Sequence, residues 1–270
     1  MSGPFNPKPS KPRDGIAWVT GASSGIGEAL VARLVKRGWT VAATARSVDK
    51  LEALAAQHPG KVIPAPGDIG DPEAIKTLVE NLEREHGQIA MAVLNAGIYI
   101  PVDAAAPVFA DYEKTFSVNL NGTAACLCAI MPEMVKRQSG QIAIVSSATA
   151  FGGMPTASAY GASKAALVNM AECLRIELHR HGVLVQAITP GFVETPAQDD
   201  NTFPKPFMVS AEHAARRIAS GLRKKRFETT FPRRFTWSLK AIYALPRSWH
   251  IPLVRKQTGW DKPADEDPAA

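Results

Sequence analysis

Short apolar runs and longer stretches of helical period alternate along this chain from residue 16 to residue 231. Runs at 16–19, 40–45, 61–66, 89–94, 142–147, 184–188 and 227–231 read as strands, most of them apolar on both faces. Between them a 3.6-residue period predicts helices over 28–37, from 71, over 111–135, 157–181 and 211–224. Gly38 ends the first of these, and Ser210 stands where a cap belongs. Strand and helix in strict alternation predict an α/β fold with a parallel sheet covered on both faces. Asn119, Asn121 and Gly122 inside the 111–135 helix mark either a functional bend or a solvent-exposed turn, and Pro132 predicts a kink.

No internal repeat and no linker interrupts the chain before residue 226. Residues 1–14, with four prolines, read as a flexible tail, 15–231 as one domain, 232–260 as a helical extension and 261–270 as a second tail. The aperiodic, proline-bearing stretch 196–208 has the character of a lid. A hydrophobic content of 46% with 21% charged residues describes a globular chain, and no apolar run reaches membrane-spanning length. Cys126, Cys128 and Cys173 are odd in number and lack metal spacing, so they are expected to be reduced and buried, in a cytoplasmic protein.

The chemistry centres on Tyr160 and Lys164, four residues apart and therefore stacked on one helix face. A lysine ammonium favours a neighbouring phenolate and would lower the tyrosine pKa toward a useful acid or base. Ser147, thirteen residues upstream at a strand end, offers a hydroxyl. An amphipathic helix with a half-buried Tyr and a solvated Lys is the plain alternative. Thr20 to Gly27, with Ser23, Ser24 and Ile26 among its members, lies between a strand and a helix, the context of a phosphate-binding turn. Gly21 permits the tight turn, Gly25 lets the backbone approach a pyrophosphate, and Gly27 lets the helix pack closely.

The second strand ends at Ala45, where NAD binders place an acid, and Arg46 follows, so nothing there repels a 2′-phosphate. This favours NADP(H) over NAD(H). Asp68, before Ile69, is either an acceptor for an adenine amino group or a helix cap. Asn95, Ala96 and Gly97 end the fourth strand with small residues that leave room for a cofactor.

Taken together, Thr-Gly-x-x-x-Gly-x-Gly, Asn-Ala-Gly, a helical Asn, Ser, Tyr-x-x-x-Lys and Pro-Gly, in that order over about residues 15–230, resemble the short-chain dehydrogenase/reductase family. The resemblance implies a doubly wound, Rossmann-type sheet of about seven strands. It implies a catalytic tetrad at Asn119, Ser147, Tyr160 and Lys164, with Ser147 chosen over Ser146 by the usual gap to the Tyr. It also implies that Lys164 holds the nicotinamide ribose and that Asn119 binds a water linking Lys164 to solvent. Asn95, Gly97 and the segment with Pro190, Gly191, Val193 and Thr195 are expected at the nicotinamide half. The implied activity is NADP(H)-dependent interconversion of a carbonyl compound and an alcohol, in a dimer or tetramer. A cofactor-binding regulatory or scaffold protein on the same fold is the alternative.

From Arg216 to Lys256 there are twelve Lys or Arg and one acid, Glu228, although the whole chain is only +6. Trp237 and Trp249 lie in the same region, and Trp260 follows it. Such a segment suits a pocket cover or subunit contact, or the surface of an anionic membrane; nucleic acid is the least favoured partner. By resemblance, the extension points to a hydrophobic, lipid-like substrate.

Overall fold

Seven parallel strands build the protein: β1 (Ile16–Thr20), β2 (Val41–Thr44), β3 (Val62–Pro64), β4 (Ile89–Leu94), β5 (Gly140–Val145), β6 (Val183–Pro190) and β7 (Glu228–Phe231). Their order across the sheet is β3-β2-β1-β4-β5-β6-β7, and every neighbouring pair is parallel. The order reverses between β1 and β4, so the helices leaving these strands turn to opposite faces and open a crevice at the strands' C-terminal ends. The structure, a computed structural model, describes residues 6–195 and 207–261. Most of the lid expected at 196–208, and the terminal stretches 1–5 and 262–270 of the expected tails, lie outside the described residues.

Alternate residues of the strands feed two cores. Ala17 and Val19 pack with Leu30, Val31 and Leu34 of α1 (Gly25–Val35), Leu51 and Leu54 of α2 (Val48–Ala56), and Ile218 and Leu222 near α7 (Ala211–Gly221). Ile16 and Trp18 face the other way, toward Ile75 and Leu82 of α3 (Pro72–His86), Leu127 and Ile130 of α5 (Gly122–Lys136) and Leu167 of α6 (Ser158–Glu177). Buried on both faces, the strands can be apolar at every position, which is why they read as runs rather than alternations.

The helix expected over 111–135 is α4 (Phe109–Phe116) running into α5 through a π-helical turn at Ser117–Asn121. The chain does bend here, and solvent exposure does not account for Asn119, which is fully buried, although Asn121 is exposed. Gly122 is there for space: a Cβ would stand 2.7 Å from the Ile69 side chain. Residues 6–14 also differ from a free tail. Ser10 donates its N–H to Gln141 Oε1 (2.8 Å) and its hydroxyl to the Ala90 oxygen (2.7 Å). The buried glutamine Gln141, whose amide also bonds Gln186 Oε1 and the Leu222 oxygen, needs that donor, and this ties the segment down. Of the cysteines, only Cys126 is buried. Cys128 and Cys173 are exposed, because helical period puts them on the outer faces of α5 and α6.

Beyond β7, α8 (Arg233–Tyr243) and α9 (Arg247–Gln257) form the extension. Phe235 and Leu239 of α8 are buried against Ala148, with Phe151, Met154, Phe192 and Tyr243 around them. Tyr243 donates to the Gly153 oxygen (2.7 Å), and its ring fills the place where a Cβ on Gly152 would be.

Candidate active site

A cleft of about 370 Å³ lies at the C-terminal ends of β1, β2, β4, β5 and β6. One end is the glycine turn. Gly21 and Gly25 have φ of +66° and +56°, where side chains are strained, and a Cβ on Gly27 would sit 2.0 Å from the Gly21 oxygen. Gly27 thus serves the turn itself as much as helix packing. Ser24 caps α1 without a side-chain hydrogen bond, so first-turn N–H groups face the cleft unclaimed by it. Asn95 braces this turn: its Nδ2 donates to the oxygens of Thr20 (3.1 Å) and Gly21 (3.2 Å), while Thr20 Oγ1 accepts from the N–H groups of Asn95 and Ala96.

Arg46 lines the cleft beyond β2, exposed and without an ion-pair partner among the described residues. Asp71, not Asp68, caps α3 by accepting from the Ala74 N–H (3.0 Å). Asp68 accepts from the Gly70 N–H (2.9 Å), which shapes the turn that brings Asp68 and Ile69 to the cleft wall.

At the other end stand Ser147, Tyr160 and Lys164, all lining the cleft. Ser147 follows β5; its Oγ accepts from the Thr149 N–H (3.2 Å) and lies near enough to the Tyr160 hydroxyl to lower that group's pKa. Ser146 points elsewhere, donating to the Lys164 oxygen (2.7 Å) and so tying β5 to α6. Lys164 is 3% exposed; its Nζ donates to the Val145 oxygen (3.1 Å) and lies 5.6 Å from the Tyr160 ring centre. The alternative of a solvated lysine is thereby removed.

The expected lowering of the tyrosine pKa does not appear. Burial pushes the Tyr160 hydroxyl up to about 12, opposed by the Ser147 hydroxyl and reinforced by Tyr99. Burial also brings Lys164 down to about 8, which weakens the cation on which such lowering depends.

Asn119 does not line the cleft. From the π turn its Nδ2 donates to the Ile98 oxygen (2.9 Å) and to Ser163 Oγ (3.1 Å), and its Oδ1 accepts from the Ile98 N–H (2.7 Å). Both amide hydrogens are therefore used, so this side chain can meet a water beside Lys164 only by accepting from it at Oδ1. Gly97 keeps open the gap between Asn119 and Lys164, since a Cβ there would be 3.1 Å from Oδ1 and 3.2 Å from Nζ.

Gly21, Ser23, Ser24, Gly25, Ile26, Ala96, Gly97, Pro190, Gly191, Val193 and Thr195 all line the same cleft. Sequence reasoning missed Tyr99, whose ring meets Tyr160 edge-on at 5.1 Å while its hydroxyl pairs with Thr156 Oγ1 at 3.0 Å. Met154, Phe235 and Leu239 add apolar wall, the last two as the pocket cover expected of the basic extension. The aromatic content of 231–245 was a signal for the last two; nothing in the spacing marked Tyr99.

A family model for short chain dehydrogenases matches residues 15–204. The chain is a short-chain dehydrogenase. It is 34% identical over 233 residues to an uncharacterized oxidoreductase of Myxococcus xanthus, covering 85% of this chain and 92% of that one. It is 34% identical over 184 residues to the 3-oxoacyl-[acyl-carrier-protein] reductase FabG of Thermotoga maritima, covering 67% and 75%. A crystal structure of a short-chain dehydrogenase from Streptomyces avermitilis superposes with a TM-score of 0.74 at 26% identity, covering 92% and 96%.

Short-chain dehydrogenases are oxidoreductases that bind a nicotinamide cofactor. The cleft of this member fits one. Its turn at Gly21–Gly27 excludes side chains where a pyrophosphate needs backbone approach, and its far end gathers hydroxyl and ammonium groups suited to a ribose.

Proposed function

We propose that this short-chain dehydrogenase is an NADP(H)-dependent carbonyl reductase or alcohol dehydrogenase acting on a substrate with a hydrophobic body. The convergence of the Ser147 and Tyr160 hydroxyls with the buried Lys164 at one end of the cleft carries the reading. When bound, the nicotinamide supplies or takes the hydride. A carbonyl oxygen between Ser147 Oγ and Tyr160 Oη accepts two hydrogen bonds where negative charge grows. Tyr160 Oη then gives that oxygen its proton, or takes it back when an alcohol is oxidised. Held near 12, the phenol is protonated at neutral pH and ready as the acid. Lys164, while charged, steadies the phenolate left behind. Asn119 acts as a positioning residue, fixing Ile98 and Ser163 around this group.

Arg46 supports the preference for NADP(H): a free, exposed guanidinium at the end of β2, with no carboxylate at position 45, pairs with a 2′-phosphate. Phe192, Phe235, Leu239 and Met154 support the hydrophobic substrate, since they wall the cleft near Ser147. A dimer or tetramer through α5 and α6 belongs to the same reading, supported by Ile176, 78% exposed on α6. So does a reducing, cytoplasmic setting, supported by two exposed unpaired cysteines.

The test is Tyr160→Phe assayed with NADPH against ketones graded from small to long-chain. Turnover should fall by about a thousandfold or more while NADPH binding, followed by fluorescence, stays within about twofold of wild type. Unchanged turnover removes the role of Tyr160. Tight NADPH binding by wild type with no turnover of any ketone or alcohol favours a cofactor-binding regulatory protein.

A further inference from the structure

We propose that the outer face of α8 and α9 docks the protein on an anionic lipid surface. The two faces of α8 differ sharply. Phe235, Thr236 and Leu239 are buried toward the cleft, while Arg233, Arg234, Trp237, Ser238 and Ala241 are exposed on the opposite stripe. Trp237 is 66% exposed. The second helix continues this surface. Val254 is buried, and His250 packs its ring edge-on to Tyr243 at 5.2 Å, leaving Trp249 at 66% and Ile251 at 57% exposed. Leu245, between the helices, and Trp260, beyond the second, are exposed as well.

Charge identifies the occupant. Residues 232–260 contain no Asp or Glu, while Arg233, Arg234, Arg247, Arg255 and Lys256 are all exposed. Lys240 is the cation of this stretch that is paired, with Glu228. Arg217 and Arg226 extend the positive surface from the N-terminus of α8 toward α7. Indole and aliphatic groups seated at the headgroup boundary, flanked by cations and with Asp261 beside Trp260 as the acid at the far end of the face, match an anionic bilayer.

A second copy fits less well, because two-fold pairing would set this cationic face against itself. Nucleic acid also fits less well, because Leu245 and Ile251 have no flat face on which a base stacks. Docking needs no turnover and stands apart from the proposed activity. If both hold, the cleft wall formed by Phe235 and Leu239 lies one helix thickness from the lipid that supplies an apolar substrate.

The full chain is to be sedimented with vesicles of phosphatidylcholine alone and of phosphatidylcholine mixed with phosphatidylserine. Pelleting should be at least about tenfold greater on the anionic vesicles and should be lost as salt is raised. Brominated acyl chains should quench tryptophan fluorescence in the bound protein. Trp237→Ser/Trp249→Ser should lose binding and quenching by about tenfold or more, and Arg247→Glu/Lys256→Glu should lose binding with the tryptophans intact. Retained NADPH binding by both variants shows that each remains folded. Equal pelleting on both vesicle types, or binding without quenching, overturns the proposal. So does retention on single-stranded DNA with no pelleting, or a variant that changes oligomeric state while wild type ignores lipid.

Discussion

Lys164 Nζ stands 5.6 Å from the centre of the Tyr160 ring, yet its hydrogen bond goes to the main-chain oxygen of Val145 at 3.1 Å. The ammonium is buried with no carboxylate paired to it among the described residues, and burial holds its pKa down from 10.5 to about 8. Below about pH 8 the folded protein therefore bears the full cost of this charge. The cost is relieved as pH rises toward 10.5, where the unfolded chain also loses the proton. Lys164→Met should abolish turnover while raising stability near neutrality by up to about 3 kcal/mol, less what the lost Val145 hydrogen bond removes. Urea midpoints should show the gain shrinking between pH 8 and 10.5. A variant less stable than wild type at pH 7 would show that the ammonium is better solvated than its burial implies.

Arg46 is the group on which cofactor choice turns. Arg46→Ala should raise the KM for NADPH by about tenfold or more and leave that for NADH within about twofold, because only the former carries the phosphate. Equal changes for both cofactors would remove Arg46 from the reading.

Gly152 and Tyr243 decide where α8 sits. A Cβ on Gly152 would lie 2.1 Å from Tyr243 Cδ1, so Gly152→Ala must push the ring and with it the helix that carries Phe235 and Leu239. The KM for a long-chain ketone should rise by about tenfold while NADPH affinity is kept, at a stability cost of about 1–3 kcal/mol. Adding Tyr243→Ala makes room and should recover part of the lost stability. No recovery in the double variant would place the effect of Gly152 elsewhere.

Asn119 ties three groups with one amide. Asn119→Ala leaves the half-buried Ile98 N–H and oxygen without their partner and should cost about 1–3 kcal/mol, read from urea midpoints. Turnover should fall together with stability, as expected of a positioning residue. A stable variant with normal turnover would show that water replaces the amide.

The seven strands were legible because a parallel sheet buried on both faces needs continuous apolar runs, and Ile89–Leu94 was readable to the residue. The glycine turn, Ser147 and the Tyr160/Lys164 pair were legible because each depends on local spacing: a tight turn, a strand end, one helix face. The bend at Asn119 was legible only as local weakness; its cause, the Ile98 backbone that the amide clamps, lies 21 residues away in sequence. The expected activation of Tyr160 by Lys164 failed for a related reason. Spacing brings the two side chains together, but burial, a property of the whole packed molecule, sets their pKa values and reverses the expected direction.

By itself, the sequence determined the fold class, the family and the motifs that line the cleft, since these reside in periodicity and short motifs. Only the tertiary structure decided that residues 6–14 are tied to the sheet, that Tyr99 braces Tyr160, and that α8 turns Phe235 inward and Trp237 outward. Those facts follow from which distant surfaces meet, and no local pattern of residues encodes such a meeting.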